Sequence, residues 1–298
     1  MRKPATSPYD FGADMANILL GYPNRCDEAT LTGGNWSGAP LSNLQTRVYS
    51  ETAVSANTLA TSTQFDAALS SARPIQIVAL AGHNLSPSAT WRVMASNTAG
   101  DYSAPLYNSS FVMVYPTLPF GTYDWNDSSF WSGSMTTEQR SYYPSVVFIV
   151  LPSPIITQYW RIEIVDTANP AGNVAIGRLF LCPAWEPSLN ATWGLQWSHE
   201  TATQVEQSLG SVEFFDKRPM VRSVKFALDM LSDSETYGPG FDLVRRQGVD
   251  AEVFFVFDPA DALYSLQRSF PARMRALPTY VVADYARNTT AFDLKELI

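Results

Sequence analysis

The chain has 298 residues, with 20 lysines and arginines against 28 aspartates and glutamates, for a formal net charge of −8. That negative surplus, with no run of basic residues, excludes the positive face that phosphate backbones require and so a nucleic-acid partner. The length suits two domains, and 46% hydrophobic against 16% charged residues is the balance of a chain that folds.

Residues 1–28 are polar and punctuated by Pro4, Pro8 and Pro23, and they read as an N-terminal arm that orders only against something else. Their apolar run, Ile18-Leu19-Leu20, is too short for the core of a signal peptide. The longest apolar run, 146–151, is strand-sized and far from the ~18 residues of a membrane span. A soluble protein made in the cytoplasm, with no membrane insertion, is the expectation. The six N-x-S/T sequons, at Asn35, Asn84, Asn108, Asn126, Asn190 and Asn288, carry no weight without a secretion signal.

From Ala29 the pattern is one of short strands: 46–51 (TRVYSE), 64–69 (QFDAAL), 75–80 (IQIVAL), 90–95 (TWRVMA), 145–151 (SVVFIVL), 159–166 (YWRIEIVD) and 175–182 (AIGRLFLC). In 159–166 the alternation sets Trp160, Ile162 and Ile164 against Arg161 and Glu163, so one sheet face is expected to be wet. Seven or eight such strands make a β-sandwich over 29–185. Between about 101 and 143 runs a long segment rich in aromatics and turn formers, and a loop of that length is expected to be functional or packed on a partner. Pro183 and Pro187 bracket Trp185 and mark a boundary.

Beyond it, 221–230 (VRSVKFALDM) alternates, with Val224, Phe226, Leu228 and Met230 on one face. Ser232 and Glu235 have capping-box spacing, and 241–247 reads as a helix stopped by Gly248. Strands are expected near 252–257, 272–277, 280–285 and 291–297, so residues 186–298 form a smaller α+β domain. The fold class is therefore mainly β.

The segments GNWSGAPLSNLQTRVYSE, TQFDAALSSARPIQIVALAGHNLSPSATWRVMAS and QYWRIEIVDTANPAGNVAIGRLFLC resemble the discoidin, or galactose-binding-like, jelly roll over residues 30–183, most closely at 73–80 and 159–180. The later segments GSVEFFDKRPMVRSVKFALDMLSDSE and VFFVFDPADALYSLQRSFPARM resemble the second domain of bacteriophage tail-tip proteins related to distal tail proteins. The resemblance implies a structural virion protein of the phage tail tip or baseplate. Such a protein would form a homo-oligomeric ring with tube, hub and fibre proteins and be assembled in the host cytoplasm. The alternatives are a carbohydrate-binding adhesin that contacts host-surface glycan and, more weakly, an ancillary domain of a glycosidase.

Candidate sites are few, and no enzyme activity is expected. His83 and His199 fall in different domains, which leaves neither a metal pair nor an acid–base pair, and no G-x-S-x-G motif is present. His83 reads as a turn residue bonded to backbone. Asp124, Asn126 and Ser128 open like a calcium loop, but Ser129 and Met135 stand where glycine and glutamate belong, so no metal site is indicated. The jelly-roll resemblance implies only that a structural calcium held by backbone carbonyls is possible; no other cofactor is expected. Cys26 and Cys182 read as buried hydrophobes, with a disulfide as the alternative.

The loop residues Tyr123, Asp124, Trp125, Asn126, Phe130 and Trp131 read first as packing or interface aromatics and second as a glycan platform, stacking rings beside hydrogen-bonding groups. Trp193 and Trp197 are expected to cover the second domain's sheet or the seam. Arg245, Arg246, Arg273 and Arg275 are expected on solvated faces or opposite an acidic neighbour.

Overall fold

The computed structural model describes residues 16–298 except 118, 120, 122, 128, 262 and 263. β1 (Leu19–Gly21) is followed by a 3-10 turn at Arg25–Glu28, β2 (Thr30–Thr32), a second 3-10 turn at Leu41–Gln45, β3 (Ala53–Val54) and the single-turn α1 (Ala60–Thr63). β4 (Phe65–Ala81), β5 (Thr90–Ser96), β6 (Tyr107–Asn108) and β7 (Val112–Met113) lead to α2 (Thr137–Ser141), β8 (Val146–Val165), β9 (Ala175–Ile176) and β10 (Arg178–Cys182). An antiparallel seven-stranded sheet has the order β10-β4-β8-β5-β6, with β2 also on β4 and β7 also on β5, while β3 pairs with β9. Trp91 and Val93 of β5, Trp160, Ile162 and Ile164 of β8, and Phe65, Ala67 and Leu69 of β4 bury one face of this sheet. They pack beneath Cys26, Leu44, Ala53, Val174 and Ile176 from the opposing turns and the β3–β9 ladder. The class is mainly β, a β-sandwich followed by an α+β unit.

Three strand expectations change. Residues 46–51 are turns after the second 3-10 turn, because Tyr49 turns away from a ladder and places its hydroxyl on Glu252. The strands expected at 64–69 and 75–80 are one strand, β4, and those at 145–151 and 159–166 are also one, β8. Their turn-forming residues are absorbed as reciprocal bulges: the register jumps between Ala68 and Arg73 on β4 and again between Ile75 and Ile77. Gln158 bridges the first with its amide on the Leu69 carbonyl at 2.7 Å.

The second unit contains β11 (Ala184–Trp185), β12 (Gln196–Thr201), β13 (Gln204–Gln207), β14 (Glu213–Asp216) and β15 (Met220–Ser232). After them come α3 (Asp233–Glu235), a π-type turn at Thr236–Gly240, α4 (Phe241–Gln247), β16 (Val253–Val256), α5 (Ser265–Arg268), β17 (Phe270–Met274), β18 (Tyr280–Asp284) and β19 (Arg287–Glu296). The sheet order is β11-β1-β16-β17-β19-β15-β12, with β18 on the far part of β19. The expected capping box at Ser232 and Glu235 forms, and α4 stops at Gly248, whose φ of 53° suits a residue without Cβ. On β15, Val224, Phe226 and Leu228 enter the core as the alternation predicts. Met230 instead sits at a bulge with φ 60°, which turns it to solvent and gives its place to Leu231.

Residues 1–15 lie outside the described residues. Residues 16–28, read from sequence as part of an arm, belong to the body: β1 sits between β11 and β16 of the second sheet, with Ile18, Leu19 and Leu20 buried. This is the physical answer to an apolar run too short for a signal peptide, since a three-residue central strand buried on both faces needs little more.

The two sheets pack on each other. The second face of the sandwich sheet, carrying Ile77, Ala79, Val146, Phe180 and Cys182, meets Leu19, Phe254 and Val256. Phe254 packs 5.3 Å from Phe180 and 5.6 Å from Phe148, centroid to centroid. At the rim of this seam Arg178 is fully buried and donates to Glu252 at 2.7 and 3.0 Å, with Asp27 at 2.7 Å on its other side. Gly177, just before it, could not be another residue: a Cβ there would stand 2.4 Å from the Tyr49 carbonyl oxygen. Cys26 and Cys182 are buried and free, in different core clusters. Among the described residues no helix is long and apolar enough to cross a membrane.

Candidate functional site

The segment between β7 and β8 has two anchored feet. Val114, Tyr115 and Met135 are buried in the sandwich core, and the Arg140 guanidinium lies 5.3 Å over the Tyr115 ring. A capping box between Thr136 and Gln139 starts α2, and the same Gln139 Oε1 accepts the Tyr123 hydroxyl at 2.8 Å. Between the feet the backbone folds into successive turns, Asp127 N to Asp124 O at 2.9 Å, Phe130 N to Asp127 O at 3.0 Å and Gly133 N to Ser129 O at 2.8 Å.

These turns gather Trp125, Phe130 and Trp131 into one cluster. The ring centroids are 5.2 Å (Trp125–Phe130), 5.4 Å (Trp125–Trp131) and 5.1 Å (Phe130–Trp131), and all three pairs meet edge to face. Phe130 is half-buried beneath the two indoles, which stay 70% and 73% exposed. With an interplanar angle of 70° the indoles form a corner, and Asp124, Asn126 and Asp127 of the same turns are exposed. Such a corner offers an apolar face to a flat apolar surface and hydrogen-bond acceptors on the same turns. The loop cluster expected from sequence is therefore brought together, with Tyr123 serving as a strut and not as part of the exposed surface.

The other candidates separate. Of the calcium-like spacing, Asp124 and Asn126 are exposed and Ser128 lies outside the described residues; among the described residues no group of three or more His, Cys, Asp or Glu side chains could hold a metal ion. His83 is a buried turn residue, as expected: its Nδ1 accepts the Leu85 amide at 3.4 Å, and burial holds its pKa down to about 3. His199 lies exposed on β12. Trp197 covers the second sheet as expected, edge-on to Phe255, Phe257 and Phe270, whereas Trp193 faces solvent. Arg273 donates to backbone carbonyls, Arg275 pairs with Glu200 and Arg246 with Asp242.

Two features escaped the sequence. The first is the hairpin β13–β14, whose strands pair only with each other and whose Val205, Val212, Phe214 and Phe215 all lie exposed. The alternation around Ser208-Leu209-Gly210-Ser211 is its available signal. The second is a groove of about 1240 Å³ between β11, the π-type turn and α4, walled by Tyr22, Trp185, Tyr237, Phe241 and Tyr280. Its walls come from four distant stretches of chain, so no local pattern announces it.

No protein-family model and no characterised protein matches the chain. Among solved structures it is similar to CBM32-1 from a family 31 glycoside hydrolase of Clostridium perfringens, at 14% identity and a TM-score of 0.34 over 54% of this chain and 99% of that one. It is also similar to an F-lectin (fucolectin) from striped bass (Morone saxatilis) serum, at 6% identity and a TM-score of 0.35 over 92% and 93%. At these identities and scores no site, ligand or activity passes from either structure to this chain.

Proposed function

We propose that the chain is a non-enzymatic carbohydrate-binding β-sandwich protein whose contact surface is the loop bearing Trp125, Phe130 and Trp131. The observation that carries this reading is the exposed indole corner: Trp125 and Trp131 stand out on turns pinned at both feet, 5.4 Å apart. An aromatic pair held this way has given up its conformational entropy before a ligand arrives, so little ordering cost opposes binding. Pyranose rings present C–H faces that stack on indoles and hydroxyls that meet carboxylates and amides, which is the chemistry that Trp125, Trp131, Asp124, Asn126 and Asp127 supply. Glycan-array retention of the full chain tests it. Trp125→Ala and Trp131→Ala should each weaken retention by roughly tenfold or more with the fold unchanged. Unchanged retention in both would sink the reading.

A second reading is favoured by the projecting hairpin. In it the chain is a structural virion protein of a phage tail tip or baseplate, ring-forming and in contact with tube, hub and fibre proteins, as the sequence resemblance implies. A lone two-stranded ribbon with apolar side chains on both faces is marginal in water and gains from a neighbour. Mass spectrometry of purified virions tests this reading, and absence of the chain from particles would end it. The two readings are compatible, because the indole corner and the hairpin lie on different units.

A further inference from the structure

We infer that the β13–β14 hairpin of one copy seats in the groove beside β11 and α4 of a second copy, so that the chain self-associates head to tail. This rests on the assembly reading, whose geometry it supplies, and is independent of the glycan reading.

The hairpin has the form of a plug. Leu209 at its tip is fully exposed, and Val205 faces Phe215 on one side of the ribbon while Phe214 lies on the other. Glu206 and Glu213 sit among these apolar side chains with no ion-pair partner among the described residues. The groove has matching chemistry. Tyr237, Phe241 and Tyr280 form a run of ring contacts at 5.0 and 4.9 Å. Arg245 lines the same groove, exposed and without an ion-pair partner among the described residues. An acidic apolar ribbon thus meets an aromatic groove with an unpaired cation.

Position decides that the occupant is another copy. The hairpin joins the body at the Met220 end of β15, and the groove's π-type turn and α4 follow from the Ser232 end, after α3. The hairpin also follows directly from β12, whereas β11 walls the groove, and these two strands are the opposite edges of the sheet, on the order of 30 Å apart and beyond the roughly 25 Å from Thr201 to the hairpin tip. The plug therefore cannot enter its own groove. Because plug and groove are different surfaces, the contact is heterologous, and repeating it yields a closed ring or an open fibre.

The test is the mass of the full chain by sedimentation velocity across the micromolar range, with circular dichroism confirming each fold. Phe214→Asp with Phe215→Asp disables the plug, and Tyr237→Ala with Arg245→Glu disables the groove; all four residues are exposed. Wild type should grow beyond a dimer with concentration, and each variant alone should stay monomeric. An equimolar mixture of the two variants should form a 1:1 dimer and stop, since only one productive plug and groove remain. The inference is overturned if wild type stays monomeric, if the groove variant still self-associates, or if the mixture does not dimerise. Self-association that depends on the plug alone would keep the assembly reading and discard this geometry. Absence from virions would end the tail-tip assignment while leaving the contact itself standing.

Discussion

β8 carries two different surfaces along one strand. Over its first part, Val147, Ile149 and Leu151 face the sandwich core while Val146, Phe148 and Val150 face the second unit. Over its last part, Trp160, Ile162 and Ile164 face the core, but Arg161 and Glu163 look outward and pair with Asp66 and Arg92 at 2.6 and 2.7 Å. The neighbouring β4 and β10 repeat the contrast: Ile77 and Ala79, with Phe180 and Cys182, add to the seam, while Asp66 lies on the wet part. A continuous apolar run and a strict alternation thus stand side by side in one sheet, and the first marks where a second layer docks. Wherever that layer covers the sheet, apolar burial and a desolvated ion pair hold it. Elsewhere the outer face of the same sheet carries partly exposed ion pairs that water can replace.

The contrast can be tested by substitution, beginning with the seam. Phe254→Ala removes a buried ring from between the sheets and should cost about 3–5 kcal/mol in denaturant unfolding. Glu252→Ala leaves the Arg178 guanidinium buried without its main partner and should cost a similar ~3–5 kcal/mol. A loss below about 1 kcal/mol for both would mean that the two sheets are not held together as described.

An effect of a different kind, read against pH, is expected at His83. Burial lowers its pKa to about 3, so the folded state keeps the ring neutral while the unfolded chain protonates below about 6.5. Stability should therefore fall as pH drops through the window from about 6.5 to about 3, by up to about 1.4 kcal/mol per unit. His83→Asn should flatten that dependence relative to wild type, and parallel curves of melting temperature against pH would refute the assignment. On the wet part, Arg161→Ala should cost no more than about 1 kcal/mol, because its pair with Asp66 is partly exposed. The smallest stability change, within about 0.5 kcal/mol, is expected for Trp131→Ala, although the same substitution should weaken glycan retention.

How much of this was legible depends on how local each feature is. The indole corner is built within nine residues of chain, 123–131, so the sequence could nominate it. The alternation at 159–166 and 221–228 could likewise be read directly, because side chains two apart share a face whatever surrounds them. The bulges that fuse 64–69 with 75–80 were not legible, since serine and proline serve a turn and a bulge equally well until a partner strand is present. Met230 failed for the same reason: a single positive φ shifted the register by one residue. The groove walled by Tyr22, Trp185, Tyr237 and Tyr280 draws on residues more than two hundred positions apart, and the Arg178–Glu252 pair joins residues 74 positions apart.

By itself, the sequence determined that the chain is mainly β, which side chains turn inward on its clearest strands, and that an aromatic loop interrupts the sandwich. Only the tertiary structure decided that residues 19–21 return as a strand in the C-terminal sheet, that the two sheets share a buried face, and that an exposed hairpin and an aromatic groove lie at opposite edges of that sheet. The reason is that hydrophobic burial is non-directional: an apolar pattern states that a face must be covered, and the geometry of the rest of the chain selects what covers it.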